Sequence, residues 1–341
     1  MKKRVTSQDV AKLAGVSRTT VSLVLNDVPG FQISPETRQM VHDAATSLGY
    51  VPNATARALA SNRTHVIGLV FTRQPHHIAT DAFLPQIIDG LLNVVRANNL
   101  RLLIDIVEPQ HQEQAYLELV RAKHIDGLVL SGPRLDDQAL RNLEREGFPT
   151  VLMGRLPESD FCSVDVDNLL AARGAVEYLI SLGHQRIACI TNAPLSYSAS
   201  ADRLDGYREA LAAAGIAYDE TLVRFGDFSP ESGYTRMNEL LSQGSEFSAA
   251  FVASDTVSLG AKAALREHGL QIPGDISLIG LDDISIAKFT DPPLTTMRVP
   301  AEALAGNACS MLLQTLNGDP IPEKHLVLPT ELVVRESCRP V

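Results

Sequence analysis

Four consecutive polar residues near the start of the chain, Ser17-Arg18-Thr19-Thr20, are the first whose types and spacing point to chemistry. They form a hydrogen-bonding set, not a catalytic one. An arginine fork matches the two acceptors on a guanine edge, and threonine offers a hydroxyl for phosphate and a methyl for thymine. To read bases, such residues must stand at the exposed N-terminal end of a helix that fits a major groove. The flanking sequence supplies one. Thr6 N-caps a first helix, with Asp9 as a capping-box partner. Val10, Ala11, Leu13 and Ala14 form its apolar side, and Gly15 supplies the left-handed turn that follows. Ser17 caps a second helix, Arg18 to about Leu25, which turns Val21, Val24 and Leu25 inward. Ala11 is small enough to let that helix pack closely. Helix, glycine turn, helix is the layout of a DNA reader; a plain three-helix cap is the bland alternative. A third helix opens at Ser34-Pro35-Glu36, a cap, a proline at the first helical position and an acid in the first turn. It runs to Leu48, and Gly49 ends it.

Charge supports this division. The 341 residues carry a formal net charge of −10. Residues 1–65 hold eight Lys/Arg against four Asp/Glu, so a head of +4 sits on a remainder of −14. A basic head binds phosphate locally while an acidic body opposes nonspecific wrapping. Apolar residues at 45% and charged residues at 21% are those of an ordinary globular chain. No apolar run approaches the ~20 residues that span a bilayer, so no membrane partner is expected. Met1-Lys2-Lys3-Arg4 has the charge of a signal-peptide start, but Val5-Thr6-Ser7-Gln8-Asp9 is not an apolar core, so export is not expected. Cys162, Cys189, Cys309 and Cys338 form no C-x-x-C pair, which argues for a reducing, cytoplasmic compartment and against zinc or redox motifs.

Catalysis finds little footing. There is no G-x-S-x-G, G-x-x-x-x-G-K-[ST] or H-E-x-x-H, and no G-x-G-x-x-G after the first strand. Asp136-Asp137 and Asp282-Asp283 are adjacent, so on a strand they point to opposite faces. His76-His77 in a proline-flanked loop reads as exposed, and His184 as a helix-end cap. No metal, cofactor or enzymatic activity is expected.

From His65 the pattern becomes an alternation of strand-like runs with helices. His65–Val70, Arg101–Ile106, Gly127–Leu130 and Thr150–Met153 alternate with Leu84–Ala97, Gln114–Ala122 and Asp137–Glu146. A second set runs from Leu169–Leu182 to Ser277–Gly280, so two parallel-sheet α/β lobes are expected. Thr295–Arg298, Glu302–Leu316 and His325–Val334 form a tail expected to cross between them. The domain boundaries follow: an all-α helix-turn-helix head at 1–49, a hinge and linker at 50–63, and the two-lobed body at 64–341. Within the hinge, Ala54 to Ala60 favours helix, but two turns are too few to stand alone in water.

The run from Val5 to Ser22 resembles the head of the lac repressor/galactose repressor family of bacterial transcriptional regulators. Gly49-Tyr50-Val51-Pro52-Asn53-Ala54-Thr55-Ala56-Arg57-Ala58-Leu59-Ala60 resembles that family's hinge helix. The resemblance extends over about Val5 to Cys338 and implies a body like the periplasmic sugar-binding proteins. It implies major-groove readout by Arg18 and Thr19, within a DNA-binding set that takes in Thr6, Ser17, Thr20, Ser22, Leu23, Asn26, Asn53 and Arg57. It makes Leu59 the wedge that unstacks the centre of a palindromic operator, in hinge helices that fold when two copies meet on DNA. Leu23 stands where the founding member has an arginine reader, so operator sequence does not carry over. In the body the resemblance assigns Phe83, Arg155, Arg203, Ser254, Asp255 and Asp282 to the effector. Aspartate accepts and arginine donates paired hydrogen bonds, which suits sugar hydroxyls. Ser254 replaces an asparagine of some members. The reading implied is a homodimeric repressor whose lobes change angle on binding a small molecule, a sugar by family frequency. A purine or a partner protein as co-effector, a solute-binding protein and a sugar-acting enzyme stay open as alternatives. The absence of a heptad tail favours a dimer over a tetramer.

Overall fold

The capping pattern at the start of the chain is realised bond for bond in the computed structural model. The structure describes residues 5–26, 30–51, 58, 63–121, 123–244 and 246–341, in two compact units that divide between His65 and Val66. In the first unit α1 spans Ser7–Ala14, α2 Arg18–Leu25 and α3 Pro35–Leu48. Thr6 accepts from the Asp9 amide and Asp9 from the Thr6 amide, which closes the capping box. Gly15 (φ 67°) and Gly49 (φ 61°) end α1 and α3 in the left-handed conformation that a side chain disfavours. Val10, Ala11, Val21, Val24, Val41, Ala44 and Ala45 form the core. Leu13, expected on the apolar side, is instead exposed. Of the expected hinge helix, Asn53, Arg57 and Leu59 lie outside the described residues.

The second unit holds two sheets of six strands. Its elements in order are β1 Val66–Thr72, α4 His77–Thr80, α5 Leu84–Ala97, β2 Arg101–Val107, α6 Gln112–Arg121, β3 Gly127–Ser131, α7 Gln138–Glu146, β4 Thr150–Met153 and β5 Cys162–Val166. Then follow α8 Asn168–Ser181, β6 Ile187–Thr191, α9 Ser198–Ala213, β7 Val223–Phe225, α10 Pro230–Ser242, β8 Ala249–Val252, α11 Asp255–Glu267 and β9 Ser277–Asp282. The last elements are β10 Thr295–Arg298, α12 Ala301–Asn317, β11 His325–Leu328 and β12 Glu331–Val333. The first sheet has the order β11-β5-β4-β3-β1-β2 and is parallel throughout; the second is β12-β10-β9-β8-β6-β7, with only β12 antiparallel. In each, strand order reverses beside the central strand, between β1 and β3 and between β6 and β8. That reversal leaves a crevice at the carboxyl ends of the strands.

The tail crosses as expected, and more than once. The chain passes between lobes after β5, after β10 and between β11 and β12. The expected run His325–Val334 therefore splits, β11 beside β5 and β12 against β10. Beyond it, Ser337 Oγ accepts from the Thr295 amide (2.8 Å) and donates to the Leu278 carbonyl (2.6 Å), so the last residues are stitched into the second lobe. His184 does not cap a helix with its ring. It is buried, bonded to Ser248 Oγ (2.8 Å) and the Arg339 carbonyl (3.1 Å). Strand β5 and helix α4 were not expected: polar Ser163 and Asp165 interrupt the apolar run of β5, and α4 is a single turn. Helices α8 and α9 pack backbone to backbone, since a Cβ on Gly206 would lie 2.2 Å from the Leu169 carbonyl oxygen.

Candidate functional site

In the head, the expected DNA-contacting residues gather at two places. Thr6 caps α1, its hydroxyl 2.7 Å from Asp9 Oδ2. Ser17, Arg18, Thr19 and Thr20 occupy the start of α2, and Ser17, Arg18 and Thr19 are exposed. The Ser17 hydroxyl is spent on the cap, accepting from the Thr20 amide (3.0 Å) and touching Thr20 Oγ1 (2.9 Å). Arg18 uses one donor, Nε, on Ser7 Oγ (3.1 Å), which ties the two helices at their exposed ends. Ser22 is exposed and Leu23 half-buried one turn on. Asn26 closes the helix, donating from Nδ2 to the Ser22 carbonyl (2.8 Å).

In the second unit a cavity opens where the strands end. It encloses about 740 Å³ when the open solvent at its mouth is counted. Phe83, Arg203, Ser254 and Asp282 all line it. Phe83 precedes α5, Arg203 projects from α9, Ser254 precedes α11 and Asp282 ends β9. Arg203 is held on three sides. Its Nε donates to Asn168 Oδ1 (2.9 Å), Nη1 to the Ala253 carbonyl (2.7 Å), and Nη2 lies 3.8 Å from Asp282 Oδ1. The close approach at Gly206 brings Arg203 within reach of Asn168. Asp282 has φ 123°, a strained backbone for a residue with a side chain. Such strain persists where its surroundings enforce it, and it gathers at ligand sites.

Two expected effector residues lie elsewhere. Arg155 is exposed, and its Nη2 is 3.6 Å from Asp202 Oδ1 outside the cavity lining. Asp255 is 0% exposed and is not among the residues that line the cavity. It accepts from Thr296 Oγ1 (2.7 Å) and the Ile284 amide (3.0 Å), so it braces the loop that carries Asp282. A Cβ on Gly280 would meet its Oδ1 at 2.0 Å, so only glycine fits there. Burial raises Asp255 to about 7 and Asp282 to about 8, the latter opposed by Arg203. Asp165, also in the lining, is raised by burial to about 6.

Sequence reading missed several lining residues: Arg73, Asp81, Asn192, Tyr197 and Phe228. Arg73 and Asn192 each directly follow a central strand, β1 and β6, which is the positional signal that finds them. Arg73 pairs with Asp81 in a buried ion pair and lies 4.1 Å above the Phe228 ring. Tyr197 and Phe228 meet edge to face at 4.9 Å.

Contacts between the lobes close one side of the cavity. Tyr197 Oη donates to the Thr72 carbonyl (2.6 Å), the Leu135 amide to the Ser196 carbonyl (2.7 Å), and Arg134 lies 5.3 Å from the Tyr197 ring centre. Thr256 Oγ1 accepts from the Ala82 amide (3.2 Å). His77, expected to be exposed, is buried 3.8 Å from Asp227 of the other lobe, and burial lowers its pKa; His76 is exposed. Among the described residues, no group of three or more His, Cys, Asp or Glu is placed to hold a metal ion, and no helix is long and apolar enough to cross a membrane.

A helix-turn-helix head and a two-lobed body with a cleft at its strand ends define a sequence-specific DNA-binding transcriptional regulator. The family model described as "Bacterial regulatory proteins, lacI family" matches residues 6–53, and that described as "Periplasmic binding protein-like domain" matches 176–338. The HTH-type transcriptional regulator CelR of Thermobifida fusca is 37% identical over 339 residues, 98% of this chain and 99% of CelR. The chain belongs to the lacI family of bacterial regulatory proteins. Among solved structures it is similar to the complex of CelR with cellobiose (TM-score 0.75, 36% identity, 98% of this chain and 100% of that one). It is also similar to the lac repressor dimer bound to operator and the anti-inducer ONPF (TM-score 0.85, 31% identity, 99% and 100%).

Proposed function

We propose that this chain is a homodimeric transcriptional repressor that binds a palindromic operator and is controlled by a sugar held in the cleft. Residues 1–49 read the DNA, 50–63 form the hinge, and 64–341 bind ligand and pair the two copies. Arg18 and Thr19 face base edges. Phe83, Arg203, Ser254 and Asp282 contact the ligand, with Arg73, Asn192, Tyr197 and Phe228 added to them. Asp255 and Arg155 serve as braces. The protein works in the cytoplasm, where its DNA is, and turns over no substrate. The observation that carries the reading is the cleft itself: an arginine, carboxylates and aromatic rings converge at strand ends from both lobes. That is the donor, acceptor and stacking set that hydroxyl-rich rings require. The similarity to a CelR complexed with cellobiose makes β-linked disaccharides the first compounds to try.

The experiment is operator selection from genomic DNA with the full chain, then anisotropy titration of the selected duplex with and without sugars. A coupling of ~1–3 kcal/mol changes operator affinity about 5–150-fold. Failure to prefer any sequence over scrambled DNA refutes the DNA role. Selective DNA binding that no sugar alters, but a purine or partner protein does, refutes the sugar.

A further inference from the structure

We propose that the ligand of this cleft is uncharged, a polyhydroxyl compound without phosphate or carboxylate that bridges Arg73 of one lobe and Asn192 of the other. The inference deepens the sugar reading above and rests on it for the location of the site. It starts from two orphaned atoms. Arg73 Nε and Asn192 Oδ1 are buried, each without a hydrogen-bond partner, and both residues line the cavity while only 6% exposed. One is a donor and the other an acceptor. A buried polar group left unpaired costs ~1–3 kcal/mol, so each needs a partner that the ligand supplies. A compound bearing several hydroxyls satisfies both, because a hydroxyl accepts and donates.

The charges around them decide against an anion. The titratable side chains of the lining are Arg73 and Arg203 against Asp81, Asp165 and Asp282, alongside Tyr197. Both guanidiniums are already answered, Arg73 by Asp81 and Arg203 by Asp282. Asp165 remains as a carboxylate without an arginine of its own. Helix N-termini also face the cavity and would favour anions, but most are occupied. Asp81 accepts from the Phe83 amide before α5, Asp167 caps α8, and Asp255 sits in the first turn of α11. The start of α9 has neither an acidic cap nor an acid in its first turn. No arginine or lysine of the lining stands free to receive a phosphate. Asp165, which has no arginine of its own, repels one. Phe83, Tyr197 and Phe228 offer faces for the apolar side of a ring.

The test is calorimetric titration of the full chain with matched pairs: neutral mono- and disaccharides against their phosphates, and nucleosides against nucleotides. The neutral member of one pair binds, and its phosphorylated partner binds at least about 100-fold more weakly, as like charges set against each other cost several kcal/mol. A phosphorylated member that binds as tightly as its neutral partner overturns the inference, while a sugar phosphate doing so leaves the sugar reading intact. A nucleoside that binds where its nucleotide does not upholds the charge inference and refutes the sugar. Inorganic phosphate, compared with chloride at matched ionic strength, leaves the melting temperature unchanged. A phosphate stabilisation that Arg203→Met abolishes overturns the proposal whichever ligand is natural. Asn192→Ala weakens the neutral ligand by up to about 10-fold through one lost hydrogen bond, with the melting temperature retained. Unchanged affinity removes Asn192 from the site.

Discussion

Replacing Tyr197 by phenylalanine removes one oxygen and leaves the rest of the contact in place. That oxygen donates to the Thr72 carbonyl at 2.6 Å, across the two lobes. The ring keeps its edge contact with Phe228 at 4.9 Å and its place beneath Arg134 at 5.3 Å. When the lobes part, water takes over both hydrogen-bonding groups, so the loss falls on the closed state alone. A net hydrogen bond is worth ~0.5–1.5 kcal/mol, and a stranded buried acceptor raises the cost toward ~2 kcal/mol. If ligand binding draws the lobes from open to closed, Tyr197→Phe weakens the ligand about 5- to 30-fold. Calorimetry measures the affinity, and thermal unfolding checks the fold. The melting temperature falls by no more than about 4 °C per kcal/mol in a body of this size. Ligand affinity within twofold of the parent would refute the idea that closure across Tyr197 is part of binding. A collapse in melting temperature would instead show that the bond serves folding.

Arg203→Met strands Asp282 in a buried site, which costs up to ~3–5 kcal/mol above about pH 8, where Asp282 is ionised. The penalty shrinks on acidification as Asp282, already raised to about 8, takes up a proton. A pH-independent loss of stability would argue against the pair. Asp255 is raised from 3.8 to about 7, so the folded chain holds a proton that the unfolded chain releases. The contribution of Asp255 to stability is then fullest below about pH 4 and is lost as pH climbs through 7. Melting temperatures at about pH 5 and pH 8 test this: the parent falls further than Asp255→Asn, and parallel falls reject it. Arg18→Ala costs ~1–3 kcal/mol on the selected operator, the worth of one paired base contact. Anisotropy on operator and scrambled duplexes separates the cases, since equal losses on both make Arg18 a phosphate contact.

The head was legible because its signals are local. Thr6, Gly15, Ser17, Ser34 and Gly49 each act within four residues of themselves, and each does in the structure what its type predicts. The alternation of the body was legible for the same reason. What escaped reading depends on the third dimension. Strand β5 is hidden by Ser163, buried, and Asp165, half-buried, polar positions that only the surrounding lobe makes tolerable. Of the expected effector residues, Arg203 and Asp282 line the cleft, and Asp255 lies outside the lining. Near a strand end, one residue's difference decides whether a side chain meets the cavity or the core: Ser254 lines the cleft and its neighbour does not. Arg155 likewise lies outside the lining, one position past Gly154, which belongs to it. Arg73 and Asn192 were missed although they occupy the most informative position of all, directly after the central strand of each sheet.

The route of the chain through the lobes has a consequence for its synthesis. The first sheet lacks its edge until β11 has been made, and the second lacks β12 and the Ser337 stitch until residues 331–337 emerge. On the ribosome, neither lobe can reach its final form while the other waits. Both finish within the same few residues. The head, whose caps and core lie wholly within the first 50 residues, completes its fold long before. A nascent chain therefore carries a finished DNA-reading surface for most of its elongation, with no body yet able to answer a ligand.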